Sequence, residues 1–257
     1  MKILTMRKIM SIAALVLGLG AFTNAGAAVI NGVNWANVYD PDVSGNNALP
    51  NVPPNTWTLV TAGNGTASIT SNYLTISSNS TLSDMQYYSN TTGWDMTSGM
   101  SVEARVSVTG ASLAAGAPIA AIRVGNASKY IYITFDQTKI FYGVGGDVVL
   151  ASGLDLSAFT TMRLTLTSAL DLNIYVNNSP TPIGTLTTAN FVAGAGNNLL
   201  FGDPSGFTVG GTSNWDYIAY TAGIYPVPEA GSIALLSLGL LPVCFALHRK
   251  RRSGSSG

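Results

Sequence analysis

The chain has 257 residues, of which 47% are hydrophobic and only 9% are charged, and its formal net charge is zero. Seven of its 12 Lys and Arg residues lie in the two terminal segments. In residues 29–226, five basic residues minus eleven acidic ones gives a net charge of −6. A domain of this charge lacks the basic surface that nucleic acids require, which excludes a nucleic-acid partner.

The amino-terminal segment has the pattern of a secretory signal peptide. Basic residues precede an apolar run at 9–22, and small residues follow at 25–28. A retained membrane span is the alternative, but about 20 apolar residues are needed to cross a bilayer. We therefore predict a signal peptide over 1–28, exported by Sec-type machinery and cut by signal peptidase after Ala27 or Ala28.

Residues 29–226 are expected to form one domain, and their main pattern is the period-two alternation of β-strands. It is clearest at 101–108, 162–167 and 171–177, and a helical turn is expected only at 156–159. Further strands are predicted at 57–61, 73–77, 85–88, 119–124, 130–135, 139–142, 199–201 and 215–220. Many short strands with polar turns indicate an all-β antiparallel β-sandwich or jelly roll.

The order of these elements resembles the second half of a laminin-G-like or concanavalin-A-like sandwich. The resemblance rests on the turn at 156–159, the strands at 161–166 and 172–177, and the closing aromatic strand at 214–220. It extends over most of 56–220. A concanavalin-like fold implies a domain that associates with carbohydrate, although fold alone does not establish that function.

An acidic loop near the start of the domain is a candidate calcium site. Asp40 and Asp42 place carboxylates at alternate positions, and Gly45 follows as a turn residue. Asn51 stands where a bidentate glutamate would complete the loop. Asp216 is the expected partner, because the two ends of such sandwiches often lie side by side. A solvated Asx and Gly turn is the simpler interpretation of the same residues.

Few residues of the domain suit catalysis. The single cysteine, Cys244, and the single histidine, His248, lie in the carboxyl-terminal segment. Disulfides, histidine-based catalytic triads and histidine zinc sites are therefore excluded from 29–226. Glycan cleavage by two carboxylates remains an alternative, but Glu103, the domain's only glutamate, is expected on the polar face of an ordinary strand. A lyase with a tyrosine base is a further alternative, although alternating tyrosines usually pack on sheets.

Exposed aromatic residues are candidates for stacking on sugar rings. Trp57 and Trp215 lie in predicted strands and are expected in the core. Trp94 lies in the turn-rich segment 90–99 and is the predicted carbohydrate-binding residue at the surface.

The carboxyl-terminal segment, 227–252, has the pattern of a membrane anchor with a cytoplasmic end. An apolar stretch at 231–247 predicts a single transmembrane helix, and a basic cluster follows it, formed by Arg249, Lys250, Arg251 and Arg252. The positive-inside rule places this cluster in the cytoplasm and the domain outside. A plain permanent anchor is one interpretation.

The same segment closely resembles the PEP-CTERM sorting signal of exopolysaccharide-producing Gram-negative bacteria. Val227, Pro228 and Glu229 match the motif, whereas Ala230 replaces the usual second proline, and residues 253–257 form an unusual polar extension. The resemblance implies recognition and removal of the tail by an exosortase.

Together these patterns predict an exported protein, first tethered to the inner membrane and then released to the cell surface or extracellular matrix. The predicted role is non-catalytic and associated with exopolysaccharide. The alternatives are a polysaccharide-active hydrolase or lyase of concanavalin-like fold, and a structural envelope protein without a ligand. An enzyme requires carboxylates, or a carboxylate and a tyrosine, that converge in a groove.

Overall fold

A computed structural model describes residues 28–42, 48–78, 85–109, 118–143, 148–203 and 211–227. Within these ranges no helix is long and apolar enough to span a bilayer. The predicted signal peptide up to residue 27, the motif residues Pro228 and Glu229, the apolar stretch and the basic cluster lie outside the described residues.

The described residues form β-strands joined by turns, with short 3-10 helices at Met96–Ser98 and Thr188–Asn190. The strands, in chain order, are β1 (Ala28–Ile30), β2 (Val33–Trp35), β3 (Asn37–Tyr39), β4 (Thr58–Ala62), β5 (Thr66–Thr70), β6 (Tyr73–Ser78), β7 (Met85–Asn90), β8 (Met100–Thr109), β9 (Ala120–Gly125), β10 (Lys129–Phe135), β11 (Lys139–Tyr142), β12 (Val148–Ser152), β13 (Thr160–Leu166), β14 (Leu172–Val176), β15 (Gly184–Leu186), β16 (Val192–Ala193), β17 (Leu199–Asp203) and β18 (Gly211–Ala222). Their alternation of β-branched or aromatic residues with polar ones favours pleated, half-buried strands.

Two antiparallel sheets pack face to face. The front sheet has the order β12-β11-β10-β9-β17-β7-β4, and β16 pairs with β10. The back sheet has the order β15-β14-β13-β8-β18-β6-β5, and β3 pairs with β18. The prediction of an all-β antiparallel sandwich is therefore confirmed.

The core lies between the sheets and contains aromatic residues from both. The Phe201 ring on β17 lies 4.8 Å from the Trp215 ring and 4.9 Å from the Trp57 ring, both in edge-to-face geometry. Such pairs contribute about 0.5–1.5 kcal/mol beyond the area they bury. The expected burial of Trp57 and Trp215 is confirmed.

A third, two-stranded layer covers the outer face of the back sheet. It is the hairpin of β1 and β2, and its turn residues Asn31 and Gly32 have φ angles of 47° and 78°. Two positive φ values at a two-residue turn suit an Asn-Gly hairpin. The hairpin buries Val33 and Trp35 against Tyr217 and Ala219, which form a second apolar cluster outside the main core.

The polar face expected on β8 is present, but much of it is buried. Ser101, Glu103 and Ser107 alternate with core residues as expected, yet all three are buried. The hairpin and the segment that follows β18 contact this face, so its polar groups are satisfied by other parts of the chain. Sequence periodicity predicts the two faces of a strand but does not show what covers each face.

Candidate functional site

The outer face of the front sheet brings together aromatic and basic side chains from neighbouring strands. In the cross-strand register, Arg123 on β9 lies opposite both Tyr132 on β10 and Leu200 on β17. Residues directly opposite share one face of a sheet. Their sequence neighbours Ile122 and Phe201 belong to the core between the sheets, so Arg123 and Tyr132 lie on the outer face.

Arg123 contacts two neighbouring tyrosine rings. Its guanidinium carbon is 5.3 Å from the ring centre of Tyr130 and 5.8 Å from that of Tyr132. The two rings meet edge to face, with centres 5.7 Å apart. Cation–π contacts of this kind are worth about 0.5–1 kcal/mol each at exposed sites. They hold the long arginine side chain across the sheet.

The polar groups of Arg123 are only partly used by the protein. One terminal nitrogen, Nη2, donates to the Asn198 side-chain oxygen at 2.6 Å. The Nε donor is buried and has no hydrogen-bond partner within the described residues, so only the terminal nitrogens can face a ligand. Arg105 pairs with Asp216, and Arg163 pairs with Glu103. Among the described residues, Arg123 is the one arginine with no ion pair to a carboxylate.

The loop that follows β16 forms one side of this cluster. Gly194 and Gly196 pass so close to Tyr130 that an added Cβ would lie 2.7 Å and 2.5 Å from its side-chain atoms. The loop then leads to Asn198, whose amide donates to the Gly196 carbonyl at 2.7 Å. Small residues here place the Asn198 side chain beside Arg123. We call Arg123, Tyr130, Tyr132 and Asn198 the tyrosine–arginine face.

Burial raises the pKa of the Tyr132 hydroxyl above its ordinary value, while the charge and hydrogen bond of Arg123 offset part of the rise. The phenol is therefore neutral at physiological pH. The face thus presents half-buried aromatic rings, one guanidinium and one amide, a combination that suits apolar and hydrogen-bonding contacts with the same ligand.

The prediction that Trp94 lies at the surface is wrong. Its side chain is only 5% exposed and packs in the core, with its ring 6.0 Å from that of Tyr220. The indole nitrogen donates to the Gly125 carbonyl at 2.9 Å. A turn-rich sequence places the backbone at the surface, but the indole of Trp94 points inward, where it satisfies a buried carbonyl.

Two of the three residues predicted as metal ligands, Asp40 and Asp216, have other side-chain partners. Asp40 accepts a hydrogen bond from the Asp42 amide at 2.9 Å, which is an Asx turn. Asp216 forms an ion pair with Arg105. Tyr39 lies opposite Ile218, so the two ends of the domain do lie side by side as expected. Residues 43–47 are not described, and no cluster of three metal-ligating side chains occurs elsewhere in the described ranges.

Glu103 and Arg163 form a buried ion pair beneath the two ends of the described chain. Their side chains are 0% and 1% exposed, and the Arg163 Nε lies 2.6 Å from the carboxylate. The second carboxylate oxygen accepts from the Asn31 amide at 2.7 Å and from the Tyr217 hydroxyl at 2.8 Å. Every oxygen of the carboxylate is thus engaged, and Glu103 has no access to a substrate.

The same guanidinium binds both ends of the described chain. Arg163 donates to the carbonyls of Asn31, Tyr225 and Pro226, each at 3.4 Å. It also lies 5.6 Å from the Trp35 ring centre. We call Glu103 and Arg163, with these partners, the terminal clasp.

No protein-family model matches the chain, and no curated protein matches it significantly. Among solved structures, it is similar to the cellulose-induced protein Cip1, with 14% identity over 67% of this chain and 88% of that one, at a TM-score of 0.46. The Emp47p carbohydrate recognition domain has 13% identity over 66% and 90% of the two chains, at a TM-score of 0.43. The VIP36 exoplasmic/lumenal domain, in a Ca²⁺/Man-bound form, has 10% identity over 75% and 91%, at a TM-score of 0.44. TM-scores below 0.5 define neither the family nor the ligand of this chain.

Neither Arg123 nor Asn198 stands out in the sequence. One usable signal is the alternation of Tyr130 and Tyr132, which places both rings on one face of β10. Which arginine lies opposite them depends on the cross-strand register, which the sequence does not reveal.

Proposed function

We propose that the protein is a non-catalytic, carbohydrate-associated domain that holds a glycan on the tyrosine–arginine face. The observation that carries the proposal is the contact of Arg123 with both Tyr130 and Tyr132, with Asn198 beside it, on the outer face of a sheet. In this proposal the sandwich is of the concanavalin-like kind.

The chemistry of the face suits a sugar. The half-buried rings of Tyr130 and Tyr132 offer apolar surface to the C–H groups of a pyranose, and Arg123 and Asn198 offer donors and an acceptor to its oxygens. A binding role needs no proton transfer. Glu103, the only glutamate in 29–226, is enclosed in the terminal clasp, which supports binding over carboxylate-based cleavage.

The second part of the proposal concerns destination. The pattern of 1–28 supports export, and the pattern of 227–252 supports sorting by an exosortase at the inner membrane of a Gram-negative bacterium. The final place is then the cell surface or the extracellular matrix, where exopolysaccharide is the expected partner. Calcium at the loop of Asp40 and Asp42 stays a prediction.

Retention of the purified full chain on immobilised glycans tests the binding site. The probes are the source organism's exopolysaccharide, the neutral glucan laminarin and the uronate polymer alginate, each with calcium and then with chelator. Arg123→Gln removes a charged donor worth about 1.5–3 kcal/mol, so we expect binding to weaken about 10- to 100-fold. Loss of retention with chelator would support the calcium loop.

Arg105→Gln is the matched control. Arg105 is also half-exposed and lies 5.0 Å from an aromatic ring, that of Phe159, but it belongs to the back sheet. We expect this variant to bind like the unchanged chain. Equal retention of both variants, or no retention on any glycan, would overturn the glycan site. Mass spectrometry of the protein recovered from the organism tests the destination separately, because sorting predicts loss of the tail near Val227.

A further inference from the structure

The segment after β18 is fixed to the outer face of the back sheet. The Gly223 amide donates to the Gly99 carbonyl at 2.9 Å, and the Ser101 hydroxyl donates to the Gly223 carbonyl at 2.8 Å. The same hydroxyl accepts from the Tyr225 amide at 2.8 Å. With the bonds from Arg163, these contacts hold the chain until Val227, which is buried. We call residues 223–227 the terminal strap.

The turn of the first hairpin lies beside the strap. One guanidinium, that of Arg163, donates to the carbonyls of both Asn31 and Tyr225, so the two backbones adjoin. Together they expose apolar side chains: Val29 is 73% exposed, Ile224 40% and Tyr225 43%. These are three of the seven large hydrophobic residues that are exposed in the described ranges.

The chain length beyond the strap limits how far this surface lies from a membrane. Val227 is docked, and the apolar stretch begins at residue 231. Four residues span at most about 14 Å when fully extended. The headgroup region on one side of a bilayer takes up roughly 5–8 Å of that distance. A tail inserted in the membrane therefore holds Val227 no more than about 6–9 Å from the headgroup layer.

From this we infer that the surface formed by Val29, Ile224 and Tyr225 is a membrane-contact surface while the chain is tethered. The partner is the lipid headgroup layer, and the inference rests on the proposed membrane tail. Tyrosine is enriched at this depth because its ring is apolar and its hydroxyl is polar. The terminal clasp keeps the surface rigid, so the domain is oriented with its back sheet toward the lipid and its front sheet away from it.

Site-specific fluorescence quenching tests the orientation. The chain from Ala28 onward, as predicted after signal-peptide cleavage, carries Cys244→Ser, which removes the native thiol, and one new cysteine labelled with a fluorophore. Val29→Cys places the label on the proposed contact surface, and Val148→Cys, at a position that is 45% exposed on the front sheet, is the matched control. The chain is reconstituted in phosphatidylcholine vesicles that contain nickel-chelating headgroup lipids as quenchers.

We expect the label at position 29 to be quenched at least threefold more than the label at position 148. Equal quenching, in a chain that co-floats with the vesicles, would overturn the orientation but leave the membrane tail intact. A chain that does not co-float, and behaves like the tail variant Leu236→Asp/Leu240→Asp, would overturn both the tail and this inference. Neither result bears on the glycan site, which is read by retention alone.

Discussion

Glu103→Gln should strongly destabilise the protein, because it removes the counter-charge of a guanidinium that is only 1% exposed. Breaking a buried ion pair by removing one partner costs about 3–5 kcal/mol, since the remaining charge is left uncompensated. The free energy of unfolding of a domain is about 5–15 kcal/mol. For a domain of about 200 residues, the corresponding fall in melting temperature is roughly 6–20 °C.

Urea unfolding followed by tryptophan fluorescence measures this change, because all four tryptophans are buried in the folded domain. Asp216→Asn is the matched control, because it removes the carboxylate of the Arg105 pair, whose side chains are 43% and 27% exposed. Exposed pairs contribute about 0–1 kcal/mol. A loss for Glu103→Gln no larger than that for Asp216→Asn would refute the reasoning.

Three further predictions concern stability. Burial, with the nearby Glu103 charge, raises the pKa of the Tyr217 hydroxyl above its ordinary value of 10.0. The stability that the protonated phenol contributes is therefore complete below pH 10 and falls as the pH rises further, by up to about 1.4 kcal/mol per pH unit. In alkaline unfolding, the free energy of unfolding of Tyr217→Phe should fall less steeply with pH. Gly202→Ala should lower the free energy of unfolding by about 1–3 kcal/mol, because φ is +120° and the new Cβ would lie 2.7 Å from the Gln86 carbonyl oxygen. Gly32→Ala is the control in the same urea assay, and its loss should be smaller because the space around Gly32 is open. Trp94→Phe should lower the free energy of unfolding by about 1–3 kcal/mol, because it removes the indole N–H that donates to the Gly125 carbonyl. Glycan retention should not change. Weakened retention in a folded variant would restore Trp94 as a binding residue.

The sandwich could be predicted from the sequence because alternation is a local property. Strands such as β8, β13 and β14 lie close to their expected positions, and a turn with a φ of 52° at Asn177 follows β14. The short strands β1 to β3 have too few residues to show a period, so they were missed.

The candidate sites could be predicted less well, because they depend on contacts between distant segments. Glu103 has the spacing of an outward-facing residue, yet 60 positions separate it from Arg163 and 72 from Asn31. Arg123 and Asn198 are similarly separated by 75 positions. Periodicity assigns a side chain to a face, but only the register and the path of the termini decide whether that face meets solvent, a ligand or another part of the chain.

The position of β18 in the back sheet has a consequence for folding. This last strand is an interior one, paired with β8 and β6 and, toward its end, with β3. When the chain is delivered from its amino end, these three strands have no shared neighbour until residues 211–222 arrive. Pairings between such distant segments slow folding and leave strand edges open in the meantime. The back sheet therefore closes only when the end of the domain is available. In a chain that stalls before β18, the strands β3, β6 and β8 each keep an open edge.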